Sequence, residues 1–248
     1  MQVGYLGPLE VRDGGRVLDV PGHRLRVLLG RLAAQVPRPV GADVLIDLLW
    51  PGAAPADPPN SLQSLVSRLR RVVGDPAAVL QTPGGYRLAV DPEDVDAVRF
   101  ARLADRGHAE LAAGSPGAAV DTLREALDCW RGNPLPDDES ADALVLRSRL
   151  AERHAQARLD RLTAQLELGR APAAGIVSGV EALLAVDPLR EDVVLVKLRA
   201  LVAAGRPGEA LAAYEQTRRL LADQLGTDPS AALQAVHAQL LAARSAGA

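Results

Sequence analysis

One short pattern, a glycine that closes a helix followed by a proline that opens the next, recurs through the second half of this 248-residue chain. The segment Ala112-Ala113-Gly114-Ser115-Pro116-Gly117-Ala118-Ala119-Val120 closely matches Ala203-Ala204-Gly205-Arg206-Pro207-Gly208-Glu209-Ala210-Leu211. A weaker copy stands at Leu168-Gly169-Arg170-Ala171-Pro172. Gly169 and Gly205 lie 36 residues apart, close to the ~34-residue period of a tetratricopeptide helix pair. The first gap is longer because Arg131–Ser140 inserts a loop ahead of a long helix that runs through Leu168. A single helix pair cannot bury its apolar face, so such pairs must stack to be stable. From about residue 95 onward the chain therefore reads as stacked helical pairs, with an ordinary helical bundle as the alternative.

The first 90 residues obey a different rule. Gln2–Leu6, Leu9–Arg12 and Arg16–Val20 read as strands, with Asp13-Gly14-Gly15 supplying a turn between the last two. From Arg24 to Ala34, Leu25, Leu28, Leu29 and Leu32 recur at helical spacing. A shorter helix over Ala42–Leu49 stops at Trp50-Pro51-Gly52, because proline disfavours helical geometry at the residue before it. The third helix has sharp ends. Asp57 can accept its free amides, Pro58 suits a first turn whose amides have no intrahelical partner, and Gly74 is a left-handed terminator. Two further strands, Val79–Gln81 and Tyr86–Val90, follow across Thr82-Pro83-Gly84-Gly85.

On a helical wheel, Leu62, Leu65, Val66, Leu69, Val72 and Val73 share one side of the third helix. Asn60, Gln63, Ser64, Ser67, Arg68 and Arg71 fall mainly on the other, with Arg70 at the edge, and no acid occurs between Pro58 and Gly74. Small polar groups, amides and guanidiniums without acids suit the major groove of DNA, where Arg meets guanine or phosphate and Asn or Gln meets adenine. A solvated face would carry the same arginines. The surrounding order of helix, tight connection, acid-free helix and hairpin matches a winged helix. Its turn would bring Thr82, Tyr86 and Arg87 to the DNA backbone and minor groove, although Gly84-Gly85 alone also fits a plain hairpin.

Composition narrows the chemistry further. The chain carries 27 arginines and a single lysine, Lys197, which no glycine-rich loop precedes. Phosphate-loop, kinase-like and Schiff-base functions therefore lack their lysine. Cys129 is the one cysteine, more in keeping with a small apolar residue than a redox switch, and the four histidines are scattered, so no metal or other cofactor is expected. Glu152, His154 and Asp160 share a helix without any hydrolase motif around them, which reads as surface charge and not as catalysis. Asp137-Asp138-Glu139 reads as acid at the start of a helix. The longest charge-free stretch, Pro229–Ala243, is too short and polar to span a bilayer, and no secretory signal is visible, so a cytoplasmic protein is expected. Residues 1–90 carry a net charge of +3 and residues 91–248 a net charge of −6, as if the halves met different partners.

Three segments carry a resemblance to a known family. Leu6-Gly7-Pro8-Leu9-Glu10-Val11, Ser61-Leu62-Gln63-Ser64-Leu65-Val66-Ser67-Arg68-Leu69-Arg70-Arg71 and Thr82-Pro83-Gly84-Gly85-Tyr86 are similar to the Streptomyces antibiotic regulatory proteins. The run from Leu211 to Leu241, with Tyr214, Leu225-Gly226, Asp228-Pro229 and His237, resembles their bacterial transcriptional activation domain. The resemblance implies an α+β OmpR-type winged helix-turn-helix with a small antiparallel sheet at 1–92. It implies an all-α tetratricopeptide-like domain at 93–248, without the ATPase region of larger relatives. It further implies an activator of a secondary-metabolite gene cluster that binds direct repeats as a side-by-side dimer and recruits RNA polymerase. The loop Trp50, Pro51, Gly52, Ala53, Ala54 and Pro55 is then the polymerase-facing element, toward sigma factor or the β-flap, with the α C-terminal domain as a further contact. Trp50 equally fits a residue packed on the core. Family members often carry an aromatic in mid-helix where this chain has Ser64 and Leu65, so base preference does not transfer.

The expectation is a sequence-specific activator, with Asn60, Gln63, Ser64, Ser67 and Arg68 toward bases and Arg70, Arg71, Thr82, Tyr86 and Arg87 toward the backbone or minor groove. The rival is a helical-repeat scaffold or effector-responsive regulator whose DNA binding is incidental.

Overall fold

The computed structural model describes residues 1–169 and 171–246, so Arg170 of the weaker glycine–proline break lies outside the described residues. Two antiparallel sheets and ten α-helices follow one another among those residues, with all strands before residue 90. Strands β1 (Gln2–Gly4), β2 (Glu10–Asp13) and β3 (Arg16–Leu18) form a meander in which Val3 faces Val11 and Val11 faces Leu18. Helices α1 (His23–Ala34), α2 (Ala42–Leu49) and α3 (Pro58–Val73) come next, then the hairpin of β4 (Val79–Thr82) and β5 (Gly85–Leu88). Strands β1, β3 and β5 are shorter than their apolar patterns predict, β2 is shifted by one residue, and β4 runs one residue further, to Thr82. The helices begin and end within a residue of expectation.

The chain divides into two compact units. The first comprises Met1–Asp105 together with Glu125–His154. Leu25, Leu28, Leu29 and Leu32 of α1, Leu45 and Leu49 of α2, and Leu62, Val66 and Leu69 of α3 are all buried in it. The hairpin joins these helices through Tyr86, whose backbone exchanges both hydrogen bonds with Val40, at 2.8 and 2.9 Å. Gly85 permits that approach: a Cβ there would stand 2.0 Å from the Val40 carbonyl oxygen, and its φ of +116° already favours glycine.

The second unit comprises Arg106–Arg124 and Ala155–Ala248. It takes in α7 (Ala173–Leu184), α8 (Glu191–Ala203), α9 (Pro207–Leu225) and α10 (Ala231–Ala246). It also includes parts of α4 (Asp96–Ala112), α5 (Pro116–Leu127) and α6 (Ala141–Leu168). Three of its breaks obey the glycine–proline rule, whereas α7 passes to α8 through residues 185–190 without a glycine. Gly114, Gly169 and Gly205 take positive φ after a helix, and Pro116, Pro172 and Pro207 stand at the start of the next. The core runs through Ile176, Val180, Val193, Leu198, Leu201, Tyr214 and Leu233. Helix α8 is apolar nearly all round because α7, α9 and α10 each cover part of it. Among the described residues no helix is long and apolar enough to cross a membrane.

Candidate nucleic-acid interface

Helix α3 is built to show one face. Asp57 caps it, the carboxylate accepting the Asn60 amide at 3.1 Å, with Pro58 and Pro59 in the first turn. Gly74 ends it at φ +74°, and the Asp75 amide reaches back to the Arg70 carbonyl at 3.2 Å. Leu62, Val66, Leu69 and Val73 are buried, while Leu65 and Val72 at the margin are half-buried. Asn60, Gln63, Ser64, Ser67, Arg68 and Arg71 are exposed, as the wheel predicts.

The flanks of α3 differ. Toward the hairpin, Asn60 and Gln63 line a recess of about 690 Å³ with Thr82, Gly84 and Gln81. Two acids, Asp43 and Asp57, border the same recess. Gln81 is exposed, and the sequence reading passed over it; strand alternation gave no warning, because it puts Gln81 on the same face as buried Val79. On the opposite flank, Arg68 and Leu65 line a second cleft.

Two expectations for the site need correction. Arg70 is half-buried, and its Nε and Nη2 both donate to the Val79 carbonyl, at 3.0 and 2.6 Å. Its guanidinium ties α3 to β4 instead of waiting for a phosphate. Tyr86 is only 5% exposed, because the strand bearing it is drawn against Val40, so its ring belongs to the core and offers no DNA contact. Thr82 is half-buried and its hydroxyl donates to the Gly85 carbonyl at 3.2 Å, which closes the turn. Arg87 is half-buried on β5.

In the loop after α2, Pro51, Gly52, Ala53 and Ala54 are exposed and Pro55 is half-buried. Trp50 is half-buried as well: its amide closes α2 on the Ile46 carbonyl at 3.0 Å, and the Arg24 guanidinium lies 5.8 Å from its ring centre. Arg24 is held there by donating to the Leu49 carbonyl at 3.1 Å.

Three comparisons bear on this arrangement. Residues 95–241 match the profile of the bacterial transcriptional activator domain. Over 98% of its length the chain is 33% identical to the regulatory protein DnrI of Streptomyces peucetius, covering 93% of that protein. The chain belongs to the Streptomyces antibiotic regulatory protein family. The regulatory protein AfsR of Streptomyces coelicolor, another relative, is 36% identical over 98% of the chain, which spans 24% of AfsR's length. A solved structure of Mycobacterium tuberculosis EmbR, in complex with a low-affinity phosphopeptide, superposes with a TM-score of 0.87 at 32% identity. That alignment covers 97% of the chain and 64% of the EmbR chain. Strands and the acid-free helix thus sit N-terminal to the matched activator domain.

Within this family member the first unit holds more than its N-terminal elements. The segment after α5, which reads as a mere insertion, runs along β1 and α1 as a strap. The Leu6 carbonyl accepts the Arg131 and Gly132 amides at 2.7 and 3.2 Å, and the Tyr5 carbonyl accepts the Leu135 amide at 3.0 Å. Arg131 donates to the Pro8 carbonyl at 2.8 Å and to Asp96 at 3.1 Å. Asp96 in turn accepts the Tyr5 and Leu6 amides, at 2.9 Å each; burial raises its carboxyl above the usual range despite these bonds. Leu135 is buried at φ +48° and fills the notch left by Gly30, where a Cβ would lie 2.8 Å from its Cδ2. Arg26 grips Asp137 with two hydrogen bonds of 2.8 and 2.9 Å, and Arg31 pairs with Asp142. That grip holds the Asp137 carboxyl below the usual carboxylate range.

The remaining candidates resolve as follows. Ser140 caps α6 by accepting the Ala143 amide at 3.2 Å, so Asp137 and Asp138 serve the strap and the turn before the cap. Asp160 is a buried group, where surface charge was expected: it accepts from Gln156 at 2.8 Å and meets His108 Nδ1 at 2.9 Å. His154 packs against Trp130 with ring centres 4.2 Å apart and planes tilted by 34°. Cys129 is half-buried, and burial pushes its thiol up. Among the described residues no group of three His, Cys, Asp or Glu side chains is placed to hold a metal.

Proposed function

We propose that this protein is a cytoplasmic, sequence-specific DNA-binding activator of a secondary-metabolite gene cluster. Its N-terminal part is an OmpR-type winged helix that lays α3 in the major groove and rests the β4–β5 turn on the neighbouring backbone. The observation that carries this reading is the acid-free exposed face of α3, with Asn60, Gln63, Ser64, Ser67 and Arg68 toward bases and Arg71 toward phosphate. Arg87 and Thr82 serve the turn side, and Gln81 joins Gln63 across the recess between helix and hairpin.

Two protomers stand side by side on direct repeats near a promoter. The exposed loop from Pro51 to Ala54 meets RNA polymerase at sigma factor or the β-flap, with the α C-terminal domain as a further polymerase contact, while the tetratricopeptide-like part supports assembly and recruitment. Likeness to regulators named in antibiotic-producing Streptomyces supports the pathway assignment. Footprinting on promoters beside the protein's own gene tests the reading directly: protection of repeated half-sites is expected, and uniform or absent protection defeats it. Gln63→Ala should relax base discrimination by about 1–3 kcal/mol at one position of each half-site.

A further inference from the structure

The cleft on the Arg68 flank of α3 has a volume of about 810 Å³ and lies wholly within the first unit. Its walls include Leu25, Leu48, Leu49 and Leu65 from the three helices. Asp47 and Glu139 stand exposed at its margin. Asp138 also lines it and is only 2% exposed. Its Oδ1 accepts the Ser140 amide at 2.9 Å, but Oδ2 has no hydrogen-bond partner among the described residues.

His23, Arg24 and Arg68 also line the cleft, while three neighbouring guanidiniums are committed to other groups. Arg147 gives Nη1 to the Leu135 and Asp138 carbonyls at 2.8 and 2.9 Å. Arg26 is bound by Asp137, and Arg24 by the Leu49 carbonyl. A buried carboxylate oxygen left without a donor is costly, and a charged donor relieves that cost best. A cleft between 300 and 1,000 Å³, mostly apolar with a few convergent polar groups, has the size and character of a small-molecule site.

We propose that this cleft binds a small molecule that joins an apolar body to a protonated amine. The ammonium sits among Asp47, Asp138 and Glu139, and the apolar body lies against the four leucines. An anion is disfavoured by the same carboxylates, and a neutral hydroxyl answers Asp138 only with a weaker, uncharged donor. The occupant also touches Arg68, so where α3 reads DNA, ligand and operator binding are linked and each changes the other's affinity by one common factor. The binding itself stands apart from the DNA reading, and only this linkage rests on it.

The experiment titrates the full chain with 4-phenylbutylamine, 4-phenylbutanol and 4-phenylbutyrate near neutral pH, followed by ¹⁵N NMR. The amine should give saturable shifts at cleft residues, the alcohol should bind about tenfold more weakly, and the carboxylate should not bind. Asp138→Asn keeps an oxygen for the Ser140 amide and should bring the amine down to the alcohol's affinity. Should that variant fail to fold, Asp47→Asn with Glu139→Gln removes two exposed charges and should weaken the amine alone. Equal binding of amine and alcohol, no saturable amine shift in the millimolar range, or full amine affinity in the charge-removed variants overturns the proposal. An amine that binds while no promoter fragment is retained would leave the cleft standing and defeat the DNA reading.

Discussion

The two compact units are stabilised by different means. In the second, α7, α8, α9 and α10 bury apolar faces mostly against neighbours close in sequence. In the first, polar ties join positions far apart along the chain: Tyr5 to Asp96 across 91 residues, Arg26 to Asp137 across 111, and Arg131 to Pro8 across 123. Packing between adjacent helices repeats with the sequence and leaves a period. A tie across a hundred residues leaves none, because each partner alone looks like ordinary surface charge. The helical repeats could thus be read residue by residue, and the strap could not.

The contrast can be tested by breaking each kind of tie. The largest effect belongs to Leu198→Ala, fully buried in α8. It should cost roughly 2–5 kcal/mol, read as loss of helical circular dichroism in a denaturant series. Leu135→Ala comes next, at roughly 2–3 kcal/mol, since it empties the notch over Gly30 but leaves the positive φ in place. Both tryptophans, Trp50 and Trp130, lie in the first unit, so their fluorescence reports that unit and should register the loss at Leu135. An unchanged fluorescence midpoint would show that the strap does not hold the first unit.

A smaller effect separates adjacent arginines on α3. Arg70→Ala should destabilise the protein by roughly 1–3 kcal/mol, because the Val79 carbonyl loses a charged donor. It should leave the salt dependence of DNA binding unchanged. Arg71→Ala should do the reverse, making the slope of log K against log salt shallower by about 0.9 at little cost in stability. Equal salt slopes in the two variants would refute the division of labour drawn here.

The smallest effect is a pH dependence. Arg26 holds the Asp137 carboxyl below its ordinary value, so the unfolded chain binds that proton more tightly than the folded one. The pair's contribution is complete above the ordinary carboxylate range and drains away as pH falls through the lowered value. Asp137→Asn should therefore melt lower than the parent at neutral pH, by about 1 kcal/mol for a partly exposed pair, and match it in acid. A gap that persists in acid would assign the loss to packing and not to charge.

Most of the proposed DNA face was legible beforehand for a local reason. Asp57, Pro58 and Gly74 set the ends of α3, and the period of Leu62, Val66, Leu69 and Val73 set which side turned outward. The misjudged positions, Arg70 and Tyr86, sit where α3 and β5 meet partners outside their own element. A wheel places Arg70 at the edge and cannot say whether a carbonyl waits there. Alternation on a short strand likewise leaves Tyr86 open until Val40 is seen across from it. Asp138 and the cleft beside Arg68 were beyond reach for the same reason, since their neighbours come from three helices and the strap.

The amino-acid order alone determined the strand-then-helix plan, the glycine–proline breaks, and the ends and polar face of α3, because capping, proline geometry and helical period act within a few residues. Tertiary structure alone decided that residues 131–142 brace the first unit, that Arg70 belongs to the hairpin, and that Asp138 faces burial with one oxygen unanswered. Those outcomes depend on which distant groups meet, and desolvation and hydrogen bonding set their energies only once the chain has brought them together.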